Sequence, residues 1–118
     1  MLENIALIHE VHNHTPVHLA QKEAMEYLIK IESEHIAYKR MHQCNDIELF
    51  CIMVIRALMT KEKNIVLLNP LAILKNTEFL KQARETLSIL NDEKNIIILE
   101  NEINRFYYEG MKALDDIQ

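Results

Sequence analysis

Four histidines crowd the start of the chain, where His9, His12, His14 and His18 bracket the run His12-Asn13-His14. Imidazoles at this density suggest zinc, which takes three or four nitrogen, sulfur or carboxylate ligands at defined spacing. Thr15-Pro16 separates His14 from His18, however, so those two rings face each other only if the turn folds back. Two readings stand: metal ligands, or a solvated histidine-rich loop. The spacing favours the second. The two cysteines, Cys44 and Cys51, offer little more. Cys51 lies in an apolar run with no histidine within a helical turn, so nothing there supports a reactive thiolate. A disulfide between the two would suit an oxidising compartment that no other feature suggests. Glu100 and Glu102 follow a β-prone run, at the carboxyl edge where open α/β sheets bind ligands. Beside Asn101 they also read simply as an acidic helix start. The chain has one glycine, Gly110, so no glycine-built cradle for phosphate exists in it.

The elements that must position these residues come from periodicity and punctuation. Thr15-Pro16 predicts a helix start, with threonine capping the free amides and proline in the first turn. After it Val17, Ala20, Ala24, Leu28 and Ile31 form one apolar face. Asn45 followed by Glu48 is a capping-box start. The run from Leu49 to Ile55 is apolar on every side, and its continuation through Arg56-Ala57-Leu58-Met59 gives about fourteen residues, a helix buried on most faces.

Two β-prone runs follow. Ile65–Leu68 is closed by Asn69-Pro70, and Ile96–Leu99 follows Asn95; both read as strands buried on both faces. Phe79, Leu80, Ala83, Leu87 and Leu90 mark an amphipathic helix between them, capped by Thr77 and leaving at Asn91-Asp92. Strand, helix, strand over about 35 residues is the size of a right-handed βαβ unit. Ile103, Phe106, Tyr107, Met111 and Leu114 signal a last helix. The fold class is therefore α/β: one domain, residues 1–118, with a helical part over 1–60 and a small parallel βαβα part over 61–118. Two strands are few for a parallel sheet, which points to something missing from it.

Composition narrows the function classes. Eighteen acidic against thirteen basic residues give a net charge of −5, and the basic residues are scattered, so no nucleic-acid footprint is visible. The longest apolar run is about seven residues, well short of the roughly 20 that span a bilayer, and no secretory signal is recognisable. The six methionines and the Phe106-Tyr107-Tyr108 cluster read as packing residues. A cytoplasmic chain is expected.

This order of elements, with particular residues, resembles the second part of an ABC-type ATPase domain, from just after its glutamine loop to beyond its switch histidine. Leu2-Glu3-Asn4-Ile5-Ala6-Leu7 is similar to the stretch that opens the family's helical subdomain, and Ala24 to Ile31 to the helix after it. Arg56-Ala57-Leu58 resembles the end of the signature helix, and Arg56 to Pro70 keeps the family's spacing to the following strand. The early Leu2–Leu7 stretch with His14-Thr15 is similar to ATPase subunits of lipid-transport systems. The chemistry does not carry over. The serine-glycine-glycine signature falls on Asn45-Asp46-Ile47, the metal-supporting aspartate on Leu68, the catalytic glutamate on Asn69 and the switch histidine on Asn101. The loop coupling the two sites appears as Ala72-Ile73-Leu74-Lys75.

The resemblance implies a catalytically inactive ATPase-like subunit or half-domain that takes no cofactor and acts by protein contact. It would pair with an ABC ATPase or with itself, or dock a permease subunit through its helical half, at the inner face of the membrane. A self-contained helix-rich interaction protein and a histidine-loop metal-binding module are the alternatives. Helical structure at Ile65–Leu68 and Ile96–Leu99 would remove the ATPase reading.

Overall fold

The first thirteen residues lack glycine and proline and repeat apolar side chains at helical spacing, and they form α1 (Leu2–Asn13) with Ile5 and Ala6 buried. The computed structural model describes residues 1–69, 74, 79–90 and 94–99. His14 ends α1 in the left-handed conformation, φ 54°, with its amide bonded to the carbonyl of His9. Any residue but glycine pays about 1–2 kcal/mol there. Pro16 then lets the chain turn back into α2 (Val17–Lys30), which packs along α1 and buries Ala20, Ala24 and Leu28.

Two expectations change at this turn. Thr15 is not the cap: Pro16 is, and its carbonyl accepts from the amides of Leu19 and Ala20 at 3.1 and 3.0 Å. Proline's fixed φ suits the residue just outside the helix as well as the first turn. The histidine-rich loop is not a loop either. His9 and His12 lie on α1 and His18 on α2, leaving only His14 in the turn.

Helix α2 closes in a Schellman arrangement, with Ser33 N–H on Leu28 O at 2.8 Å and Glu32 N–H on Ile29 O at 3.0 Å. Glu32 takes the left-handed position at φ 56°. Short 3₁₀ turns, Glu34–Tyr38 and Met41–Gln43, lead to α3 (Asp46–Leu58). The capping box forms as expected: Asn45 Oδ1 accepts from Glu48 N–H at 3.0 Å and a Glu48 carboxylate oxygen accepts from Asn45 N–H at 2.9 Å. Eight residues of α3 are buried, including Phe50, Ile52, Val54, Ile55 and Leu58. This helix runs through the centre of the core.

Strand β1 (Asn64–Leu68), helix α4 (Leu80–Leu90) and strand β2 (Asn95–Leu99) complete the described chain. The strands pair in parallel, Asn64 opposite Asn95 through Leu68 opposite Leu99. Both are strands, adjacent and joined across α4, as the spacing predicts. Their burial is one-sided instead of two-sided, a correction. Ile65, Leu67, Ile96 and Ile98 join the core, while Val66 and Leu68 are 53% and 68% exposed and Ile97 and Leu99 are half-buried. Continuous apolar sequence conceals the pleat, whose alternate side chains point to opposite faces. The Thr77 cap, the Asn91-Asp92 exit, Asn101 with its flanking glutamates, and the final helix over 103–114 lie outside the described residues.

Candidate functional site

A cavity of about 600 Å³ opens between α1, α2 and the end of α3. Of the four clustered histidines only His9 lines it. His9 stands one turn before the end of α1, and its side chain is 16% exposed. Its Nε2 meets the carboxylate of Glu23 on α2. Its Nδ1 meets the side-chain amide of Asn13, one helical turn on, and the same Asn13 Nδ2 donates to Met59 O at 3.0 Å. The Met59 carbonyl fixes which end of the amide points that way, because an oxygen there would face another oxygen. Asn13 therefore donates to His9 Nδ1, and His9 donates Nε2–H to Glu23. The Thr15 hydroxyl lies 3.3–3.4 Å from the two ring nitrogens.

This chain of bonds links α2, α1 and α3. With both ring nitrogens engaged, the imidazole has no free lone pair for general-base work. The floor of the cleft is the carboxyl end of α3 with Met59 and Thr60 just beyond it, whose carbonyls lie past the helical ladder. Asn13 takes that of Met59, and the Lys94 ammonium, just before β2, takes that of Thr60. Burial pushes the Lys94 ammonium below its ordinary value, with Glu62 opposing. The helical part and the sheet thus meet on two consecutive carbonyls.

His12, His14 and His18 do not line the cleft. Among the described residues no group of three or more histidine, cysteine or carboxylate side chains is placed to hold a metal ion. Sequence reasoning alone does not single out Asn13, Glu23 or Lys94. The one local signal is the four-residue step from His9 to Asn13, which puts both on one face of a helix.

The positions that match the ATPase signature lie elsewhere, at the start of α3. Asn45 caps the helix with its own side chain, Asp46 follows in the first turn, and Ile47 is buried. Glu48, 6% exposed, is the hub of this end. It accepts from Lys39 Nζ at 2.9 and 2.7 Å, from Asn45 N–H, and meets His35 Nε2 at 3.0 Å. Burial pushes the Glu48 carboxyl up, but Lys39, Asn45 and His35 outweigh it and hold it below the ordinary carboxylate value. Leu68 and Asn69 sit at the far end of β1, Leu68 exposed and Asn69 at φ 46° with its amide on Leu99 O.

No family model, curated protein or solved structure matches this chain. No helix among the described residues is long and apolar enough to cross a membrane.

Both cysteines are free. Burial, reinforced by Glu48 against the Thr86 hydroxyl bond, pushes the Cys51 thiol up to about 11. Burial and Glu48 also raise Cys44, opposed by Lys39 and the amino terminus. Since the thiolate is the nucleophile, Cys51 should be inert while the more open Cys44 reacts slowly. Alkylation with iodoacetamide near neutral pH, followed by mass spectrometry, is expected to add one group to the native chain, at Cys44. It should add two in guanidinium. Native labelling of Cys51 would contradict this account of its surroundings.

Proposed function

We propose that the chain acts by protein contact, as a non-hydrolysing ABC-ATPase-like subunit that assembles with an ABC ATPase or permease subunit, or with itself, in the cytoplasm. The observation that carries this is the self-capped start of α3. A helix amino end is an anion site when its amides are free and its dipole unopposed. Here Asn45 occupies an amide of the first turn, and Asp46 and Glu48 bring negative charge to the place the family offers to a partner's phosphate. The element order supports the same reading. Helix α3 ends in Arg56-Ala57-Leu58, β1 follows, and α4 carries the chain over to a parallel β2. Helices at these two segments would have removed the reading, and both are strands. Val66 and Leu68 supply the exposed apolar surface that a contact protein requires.

Isothermal titration with ATP, with and without magnesium, is expected to give no saturable heat below millimolar. The same holds for a chain carrying Leu68→Asp and Asn69→Glu, since metal ligands without a phosphate cradle have nothing to act on. Light scattering of the same samples should show self-association, or a hydrophobic dye should bind. Saturable heat with either chain, ATP hydrolysis by homogeneous protein, or a dye-silent monomer would each count against the reading.

A further inference from the structure

The bonds around His9 hold only while one of its ring nitrogens bears no proton. Asn13 Nδ2 carries two hydrogens, one donated to His9 Nδ1 and the other to Met59 O at 3.0 Å. His9 Nε2–H goes to the Glu23 carboxylate. A charged imidazole is a donor at both nitrogens, so protonating Nδ1 sets N–H against N–H at the Asn13 amide. Among the described residues the Thr15 hydroxyl is no substitute acceptor. It lies 3.4 Å from Nδ1 and 3.3 Å from Nε2, nearly equidistant, and so on the N–H axis of neither.

Which group yields follows from the partners. Protonation turns the Nε2–H bond to Glu23 into a charge-assisted ion pair, which holds the largely buried ring in place. The Asn13 amide is freer, because the torsion that turns it is broad and roughly two-fold. Its Oδ1 is buried with no hydrogen-bond partner among the described residues. Turning the amide over gives that oxygen the charged N–H as its donor and sets it against the Met59 carbonyl, oxygen facing oxygen. From this we infer that His9 is an acid-operated latch. Neutral, it lets Asn13 tie the end of α1 to the exit of α3; protonated, it takes the Asn13 oxygen for itself and frees the Met59 carbonyl. The Lys94 bond to Thr60 O, one carbonyl further on, is then left to hold the seam between the helical part and β1. Glu23, Glu26, Tyr27 and Lys30 face the same cleft from α2, Lys61 from the segment after α3 and Lys94 from the residue before β2. Glu10, His12 and His14 are the titratable neighbours along α1 and its turn.

The latch stands apart from the contact reading, and neither ATP binding nor a dye-silent monomer bears on it. Its test follows the isotope-labelled full chain by NMR from about pH 8 to about pH 5, the range in which a histidine changes charge. The Thr60 nitrogen belongs to the same peptide group as the Met59 carbonyl and reports what that oxygen accepts. It is expected to shift together with the Asn13 side-chain amide and the His9 ring nitrogens, all with one midpoint. His9→Gln, neutral throughout, should abolish the Thr60 transition, while His12→Gln combined with His14→Gln should keep it. Asn13→Asp puts a carboxylate where the amide donated, so it should hold the Thr60 nitrogen at its acid position across the whole range. A Thr60 nitrogen that does not move, a midpoint unlike that of the His9 ring, a transition that survives His9→Gln, or an alkaline Thr60 position in Asn13→Asp would each overturn the latch. Where a variant does not fold, the coincidence of midpoints in the unaltered chain decides.

Discussion

Truncating Phe50 to alanine is expected to remove about 3–5 kcal/mol of folding stability. Phe50 is fully buried at the middle of α3, within the cluster that also holds Ile5, Leu28, Ile55 and Leu87. Those residues come from four different helices, so the vacated space cannot be closed by shifting one element. The full cavity cost therefore adds to the lost transfer free energy. A domain of this size has about 5–15 kcal/mol in total, so the variant would sit near the edge of folding. Urea unfolding followed by circular dichroism measures it: the midpoint should fall by roughly 1–3 M with the slope unchanged. A loss under about 1 kcal/mol would mean that the core around α3 relaxes in a way its packing does not suggest.

The second large effect is expected at Glu48. Glu48→Ala removes the capping partner of Asn45 and strands the Lys39 ammonium beside a buried gap. Breaking a fully buried pair costs about 3–5 kcal/mol. Lys39 is 33% exposed and water screens part of this, so about 2–3 kcal/mol is expected at neutral pH. The pH dependence has a definite sign. The folded-state pKa of Glu48 lies below its ordinary value near 4.5. Its contribution is therefore complete above that value and is lost as pH falls through the lower, folded value. Parent and Glu48→Ala should differ most at neutral pH and converge in acid. Urea midpoints of both proteins across this range test it, and a gap that stays constant in acid would show that the carboxylate's charge is not what matters.

Features governed by neighbouring residues are legible in the sequence. The Asn45–Glu48 box, the all-round apolar helix beyond it and the βαβ spacing each depend on local residue order, and each forms as that order predicts. What depends on distant contacts is not legible there. Ile65, Val66, Leu67 and Leu68 look alike in sequence, yet the pleat buries two and exposes two. His9 resembles its neighbours His12, His14 and His18, but only tertiary packing brings Glu23 and the Met59 carbonyl to its surroundings. Pro16 takes the capping place expected of Thr15, whose hydroxyl lies beside the His9 ring instead. The apolar run of α3 is visible as periodicity, but nothing in it discloses that Arg56 near its end is half-buried, with no side-chain hydrogen bond or ion pair among the described residues.

The parallel pairing of β1 and β2 also sets a clock during synthesis. Asn64 and Asn95, opposite one another in the sheet, are thirty-one residues apart along the chain. A ribosome adding about 5–20 residues per second needs roughly 2–6 s to cover that interval. Throughout it β1 is complete but has no strand beside it, and all of its apolar side chains, Ile65 to Leu68, are without the sheet that orders them. An antiparallel hairpin would have closed within a few residues of the first strand. Here the nascent chain carries a sticky, unpaired strand for seconds, so the yield of folded protein depends on how fast the following segment is made and on what shields that strand meanwhile.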